Sequence, residues 1–223
     1  MKNLFKSAIT RIKKQESIDK RADGIKLVFE QSPELRQITN EQEYSDYINS
    51  IYPDSKVKGL VYHQTERNFK KFDINKSRTG GVYFSPFNRP SGKLTNLFFT
   101  GKYASYTKIA LVNIENPLFL TKQTTRYNIT NIRNLHKKYD LTNHDGILGY
   151  SNPMYYKGEF DKGYLDTEKD NSNIEILVRD VNDIHILGSE DDIERFKKWK
   201  QDKDNQNQNA NNLMSLRDPG AEF

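Results

Sequence analysis

Apolar positions along the chain change period near residue 57. Before that point they recur at helical spacing. Leu4, Phe5, Ala8, Ile9 and Ile12 fall on one helical face. Tyr44, Tyr47, Ile48 and Ile51 repeat the pattern until Pro53 stops the run. Thr39 and Gln42 stand where a capping box would open this second helix. Residues 1–56 are therefore expected to form an N-terminal helical region.

Beyond Lys58 the runs shorten and turn residues bound them, as in strands. "GLVYHQT" (59–65), "GGVYFSP" (80–86), the β-branched "TKIALVNIENP" (107–117) and "HDGILGY" (144–150) read this way, and Asn116-Pro117 closes the third. "NITNIRNLHKKYD" (128–140) predicts a helix, with Ile132, Leu135, His136 and Tyr139 on one face. A polar stretch over 151–173 is longer than most connections in a compact domain, so a functional loop is expected there. It leads into the strands "IEILVRD" (174–180) and "DIHIL" (183–187). The closing helix follows Gly188-Ser189, with acids at its start and lysines near its end, as the helix dipole favours. From Gln201 the chain is Asn-, Gln- and Asp-rich with little to bury, so 201–223 is expected to be a disordered tail. The fold class is α+β, with mostly antiparallel or mixed sheets in a body spanning 57–200.

Composition narrows the chemistry. The 223 residues include no cysteine, which removes disulfides, thiolate metal sites and cysteine nucleophiles. Four scattered histidines without an H-E-x-x-H pattern give a metal site no support. Of the net charge of +5, residues 1–23 carry +4, so the remainder is nearly neutral. This basic amphipathic start is expected either to pack on the body or to meet an anionic partner. It does not read as a secretory signal, and no stretch has the length of a membrane span. The motifs G-x-G-x-x-G, G-x-S-x-G and a complete phosphate-binding loop are all missing, which removes the commonest nucleotide and hydrolase readings.

Three residues at strand-like positions survive this pruning. His63 lies in "VYHQT", Tyr83 in "GGVYFSP" and Glu175 in "NIEILV". His63 has two readings, a core histidine with a backbone partner or one part of a constellation. Tyr83 could be one more core aromatic. Glu175 opens an apolar run, where a buried carboxylate requires a partner, a ligand or an exposed strand end.

The succession "VYHQT … FKKFD … GGVYFSP … NPLFL … HDGILG … IEILVRDVNDIHIL" resembles the ADP-ribosyltransferase fold, in the branch found in phage and mobile-element polyvalent proteins and toxins. The resemblance covers about residues 57–188 and rests on the order of the motifs, each weak alone. It implies a split β-sandwich preceded by a helical region. It also implies a His-Tyr-Glu triad at His63, Tyr83 and Glu175, with NAD as substrate and no metal. The implied reaction releases nicotinamide and transfers ADP-ribose to a protein or nucleic acid. Two alternatives share the fold: an NAD glycohydrolase, and an inactive binding module.

The resemblance places NAD against His63, Gln64, Thr65, Tyr83, Phe84, Ser85 and Phe87, with Phe98 a further aromatic candidate. Tyr155, Tyr156, Phe160 and Asn173 would form the target-recognition loop. An antitoxin or carrier protein would be a partner. The setting would be the cytoplasm of a bacterium or phage-infected host, or a target cell reached without a Sec signal. The chain departs from the pattern twice. Gln64 stands where the family has glycine, and Asn173 stands where arginine-modifying members have glutamate.

Overall fold

A computed structural model describes residues 21–77, 80–86, 106–120, 140–150, 162–168 and 174–215. The apolar face at residues 4–12 and residues 128–139 of the helix expected over 128–140 lie outside these residues.

The N-terminal region is helical where described. Helix α1 covers 21–31 and buries Ile25, Val28 and Phe29, a spacing of three and four that lines one face. Ser32-Pro33 ends it, and the short α2 (Leu35–Ile38) follows. Helix α3 (Glu41–Ser50) buries Tyr44, Tyr47 and Ile48. Its cap sits one residue later than the Thr39–Gln42 spacing suggests. The Asn40 side chain accepts from the Glu43 backbone N–H at 2.9 Å, and the Thr39 hydroxyl donates to the Glu43 carboxylate at 2.8 Å. Asn is as good a cap as Thr, and Glu43 is the acid three residues on.

The strands then run β1 (Val57–Lys58), β2 (Val61–Thr65), β3 (Val82–Pro86), β4 (Tyr106–Val112), β5 (Pro117–Leu120), β6 (Gly146–Tyr150), β7 (Leu165–Asp166), β8 (Ile174–Val178) and β9 (Ile184–Ile186). Seven of them form one sheet in the order β5-β6-β8-β3-β2-β4-β9, and β1 pairs with β7 alone. Five pairings are antiparallel; β5–β6 and β1–β7 are parallel. The run expected as one strand over 107–117, closed by Asn116-Pro117, ends at Val112, and Pro117 opens the next strand. The residues between turn the chain from β4 into β5, because the Asp145 carboxylate accepts from the Glu115 and Asn116 N–H groups and holds that turn beside β6.

Strand β3 divides its pairing. Val82, Tyr83 and Phe84 pair with β8, whereas Ser85 and Pro86 pair with β2. A wall of β5, β6 and β8 thus meets a wall of β2, β4 and β9 along one strand. The inner core draws on both, with Val61, Ala110 and Val112 from one side and Phe84, Ile176 and Val178 from the other.

The opposite face of β2–β4–β9 packs on helices. Leu60, Ile109, Leu111 and Leu187 share a cluster with Val28, Phe29, Tyr44 and Ile48. Helix α4 (Glu190–Ser215) adds Ile193 and Phe196 to it. Ser189 opens α4, its hydroxyl accepting from the Asp192 N–H at 3.2 Å. The Asp192 carboxylate, fully buried, accepts from Tyr44 Oη, from His185 Nε2 at 2.6 Å and from the Gly188 N–H at 2.7 Å. Burial drives the Tyr44 hydroxyl's pKa far above the ordinary tyrosine range, so it remains a donor. One carboxylate therefore fastens α3, the turn after β9 and α4 together.

The disordered tail expected from Gln201 does not begin there. Helix α4 continues to Ser215, and its residues 201–210 are all exposed. Low hydrophobicity removed them from the core but not from the helix, which extends from a turn already anchored by Phe196 and Trp199. No described helix is long and apolar enough to cross a membrane.

Candidate functional site

His63, Tyr83 and Glu175 stand on β2, β3 and β8, which are neighbours in the sheet. The β3–β8 register sets Tyr83 opposite Leu177. Glu175 lies two residues from Leu177, so alternation gives Tyr83 and Glu175 the same face as a diagonal pair. Tyr83 packs against the small cluster of Leu120, Ile147 and Leu177. Both are half-buried, and Glu175 is paired on its other side with Gly149, a residue with no side chain to crowd it.

His63 sits where β2 and β3 part. Tyr62 is the last β2 residue paired to β3. One residue on, the imidazole takes over the link, with Nδ1 2.7 Å from the Tyr83 carbonyl oxygen. A carbonyl only accepts, so Nδ1 carries the hydrogen and donates. Burial lowers the His63 pKa, with the Tyr83 hydrogen bond opposing it, and the ring is held neutral. Its Nε2 lone pair is then an acceptor suited to a hydroxyl donor. The core-histidine reading, a packed ring with a backbone partner, describes these contacts.

The loop after β2 explains the two phenylalanines of "FKKFD". Phe72 packs edge-on to His63 at 5.1 Å between centroids and to the buried Phe84 at 5.6 Å. Phe69 rests on Phe72 at 4.8 Å and reaches His63 at 6.2 Å. Three rings thus fix the imidazole from the side. Lys108, directly opposite His63 across the β2–β4 pairing, places its ammonium 5.4 Å from the centre of the Phe69 ring. It also donates to the Asn68 side-chain oxygen at 2.8 Å.

The other expected site residues divide. Gln64 and Thr65 continue β2 and pair with Thr107 and Tyr106. The Thr65 hydroxyl accepts from the Arg67 N–H at 3.2 Å, shaping the loop that carries the two phenylalanines. Ser85 is half-buried opposite Tyr62. Phe84 is a correction: its side chain is 2% exposed and belongs to the inner core, so it backs His63 and does not line a ligand surface. Alternation along β3 puts Tyr83 and Ser85 on the face opposite Phe84. Phe87, Phe98, Tyr155, Tyr156, Phe160 and Asn173 lie outside the described residues.

Sequence reasoning passed over Lys108, the ring contacts of Phe69 and Phe72, and the scaffold role of "HDG" and Arg179. Arg179 Nη1 donates to the Leu141 and His144 carbonyls, the latter at 2.6 Å, while Asp145 holds the β5 turn. Those residues tie the start of β6 to the end of β8 and to the turn before β5. Among the described residues, no group of three or more His, Asp and Glu side chains converges to hold a metal ion. Comparison with protein-family models, with curated proteins and with solved structures finds no match to this chain.

Proposed function

We propose that this chain is a mono-ADP-ribosyltransferase that cleaves NAD and passes ADP-ribose to a macromolecular acceptor. The observation that carries the reading is the placement of His63, Tyr83 and Glu175 on the adjacent strands β2, β3 and β8, around the point where β3 changes partners. The resemblance in motif order implies a split β-sandwich with those three residues at its cleft. A sheet dividing at β3 suits that expectation.

The residues suit the reaction. Breaking the bond between ribose C1′ and the nicotinamide nitrogen sends the electron pair to the leaving nicotinamide and builds positive charge on the ribose, as in glycoside hydrolysis. Glu175 would face that charge, and its attraction grows as the charge develops, which lowers the barrier rather than tightening substrate binding. His63, neutral and pinned through Nδ1, would accept a ribose hydroxyl at Nε2 and fix the sugar's orientation. Tyr83 would set its ring beside the nicotinamide, whose cationic form favours an aromatic face. The acceptor nucleophile then bonds to C1′ and gives up its proton. Gln64 in place of the family's glycine narrows the space at the nicotinamide end. Asn173 in place of glutamate takes support from arginine as the acceptor.

The test is incubation with NAD carrying a label on its adenine, in a host-cell lysate, with free nicotinamide measured in parallel. Wild type is expected to release nicotinamide and to label macromolecules. Glu175→Gln, which keeps size and loses charge, is expected to cut nicotinamide release by about 100-fold or more. Unchanged release in that variant overturns the assignment of Glu175. Nicotinamide release without label on macromolecules identifies a glycohydrolase, and the absence of any release identifies a binding module.

A further inference from the structure

Among the described residues, no opposite charge balances Lys108. It lies midway along β4, partly buried, with the apolar Ile109 and Ala110 beyond it. Its partners among the described residues are the neutral Asn68 oxygen and the face of Phe69. No carboxylate among the described residues pairs with it, although ion pairs elsewhere engage Arg21, Lys70, Lys197 and Lys200. Burial pulls its pKa below the ordinary lysine value.

A partly desolvated ammonium costs stability, which an anion placed against it offsets. Position says which anion. Lys108 pairs with His63, so both side chains rise from the same face of the β2–β4 ladder, with Cβ atoms about 5 Å apart. His63 offers a hydroxyl acceptor at Nε2; Lys108 offers a cation with three donors, one of them given to Asn68. A hydroxyl donor and an anion separated by one side-chain spacing describe a phosphorylated sugar. The Phe69–Phe72 loop carries both the ring stack on His63 and the Asn68 contact, so the two groups are positioned by one element.

We propose that Lys108 is a phosphate-binding residue of the site, taking the phosphate nearest the ribose that His63 holds. That the phosphate belongs to the pyrophosphate of NAD rests on the transferase reading; the anion site itself does not. No chemical step is assigned to Lys108.

Binding is measured by titration calorimetry on the full chain, with ADP and inorganic pyrophosphate as probes, alongside kcat and KM for NAD. Lys108→Met keeps the stem over Phe69 and removes the charge. It is expected to weaken ADP binding about tenfold or more and to raise KM for NAD with kcat little changed. Lys108→Arg is expected to recover most of the affinity. Lys197→Met, the same charge loss on α4, is expected to change nothing. Added salt should weaken wild type more steeply than Lys108→Met. Equal ADP affinity in wild type and Lys108→Met overturns the proposal, as does a wild type that binds neither probe nor NAD. Lys108-dependent ADP binding without NAD cleavage upholds the anion site and sinks the transferase. NAD cleavage with kinetic constants indifferent to Lys108 does the reverse.

Discussion

At the scale of single residues, His63 takes its protonation state from the core that holds it. Its Nδ1 replaces a lost ladder bond to β3, and its ring is packed by Phe69, Phe72 and Phe84. The neutrality this burial imposes has a measurable sign. The folded imidazole has a pKa below its ordinary 6.5. The unfolded chain therefore takes up a proton first as pH falls. Stability linked to His63 is fully present above the ordinary value and is lost as pH falls from there through the lowered folded value. An NMR titration of the His63 ring should give a midpoint below 6.5, and His63→Gln should flatten the acid side of the stability profile between the two values. A midpoint at or above 6.5 would mean that the ring is charged in the fold, and Nε2 would then be a donor rather than an acceptor for ribose.

At the scale of elements, the glycine leading "GVYF" has a steric origin. A Cβ on Gly81 would come within 2.6 Å of Leu177 Cδ1 and 2.7 Å of the Val178 carbonyl oxygen. The leucine can move, but the backbone oxygen cannot without shifting β8. Gly81→Ala is therefore expected to destabilise the fold by about 1–3 kcal/mol, read as a lower urea midpoint. Under the proposed transferase reading it should also slow nicotinamide release, because Tyr83 and Glu175 stand as a diagonal pair on that same pairing. An unchanged midpoint would show that β8 is not held this closely.

The same pairing marks what the sequence could and could not disclose. β2, β3, β6, β8 and β9 were legible because each is a short apolar or alternating run between turn residues. Residues 57–58 and 165–166 were not, since a two-residue bridge carries no period. Lys108 was invisible for a related reason. Its meaning depends on the β2–β4 register that sets it against His63, and register is fixed by the whole sheet rather than by neighbours along the chain. Asp145 shows along the chain only as a residue of the "HDGILGY" run, while its contact to Glu115 and Asn116 reaches back to the turn after β4.

At the scale of the whole molecule, the change of hydrophobic period near residue 57 is not a boundary between folding units. Tyr44, Tyr47 and Ile48 from α3 and Ile25, Val28 and Phe29 from α1 are 3% exposed or less, and their cluster includes Leu60 and Ile109 of the sheet. Tyr44 also supplies one of the donors to the buried Asp192 carboxylate, beside His185 and the Gly188 N–H. A chain beginning at residue 57 would expose that whole face of β2–β4–β9, where each large buried side chain contributes about 1.5–3 kcal/mol against a total stability of about 5–15 kcal/mol. It is expected to lack a cooperative thermal transition. The far end of α4 behaves oppositely. Residues 201–210 are exposed throughout, whereas Lys200 still bonds the Ile38 carbonyl and Glu43. Asn207→Pro should lower helix content in circular dichroism yet leave stability within about 0.5 kcal/mol of wild type. A cooperative transition in the 57–223 fragment would make the helical region an appendage. A large loss of stability in Asn207→Pro would show that the end of α4 is held by the body, against its exposure.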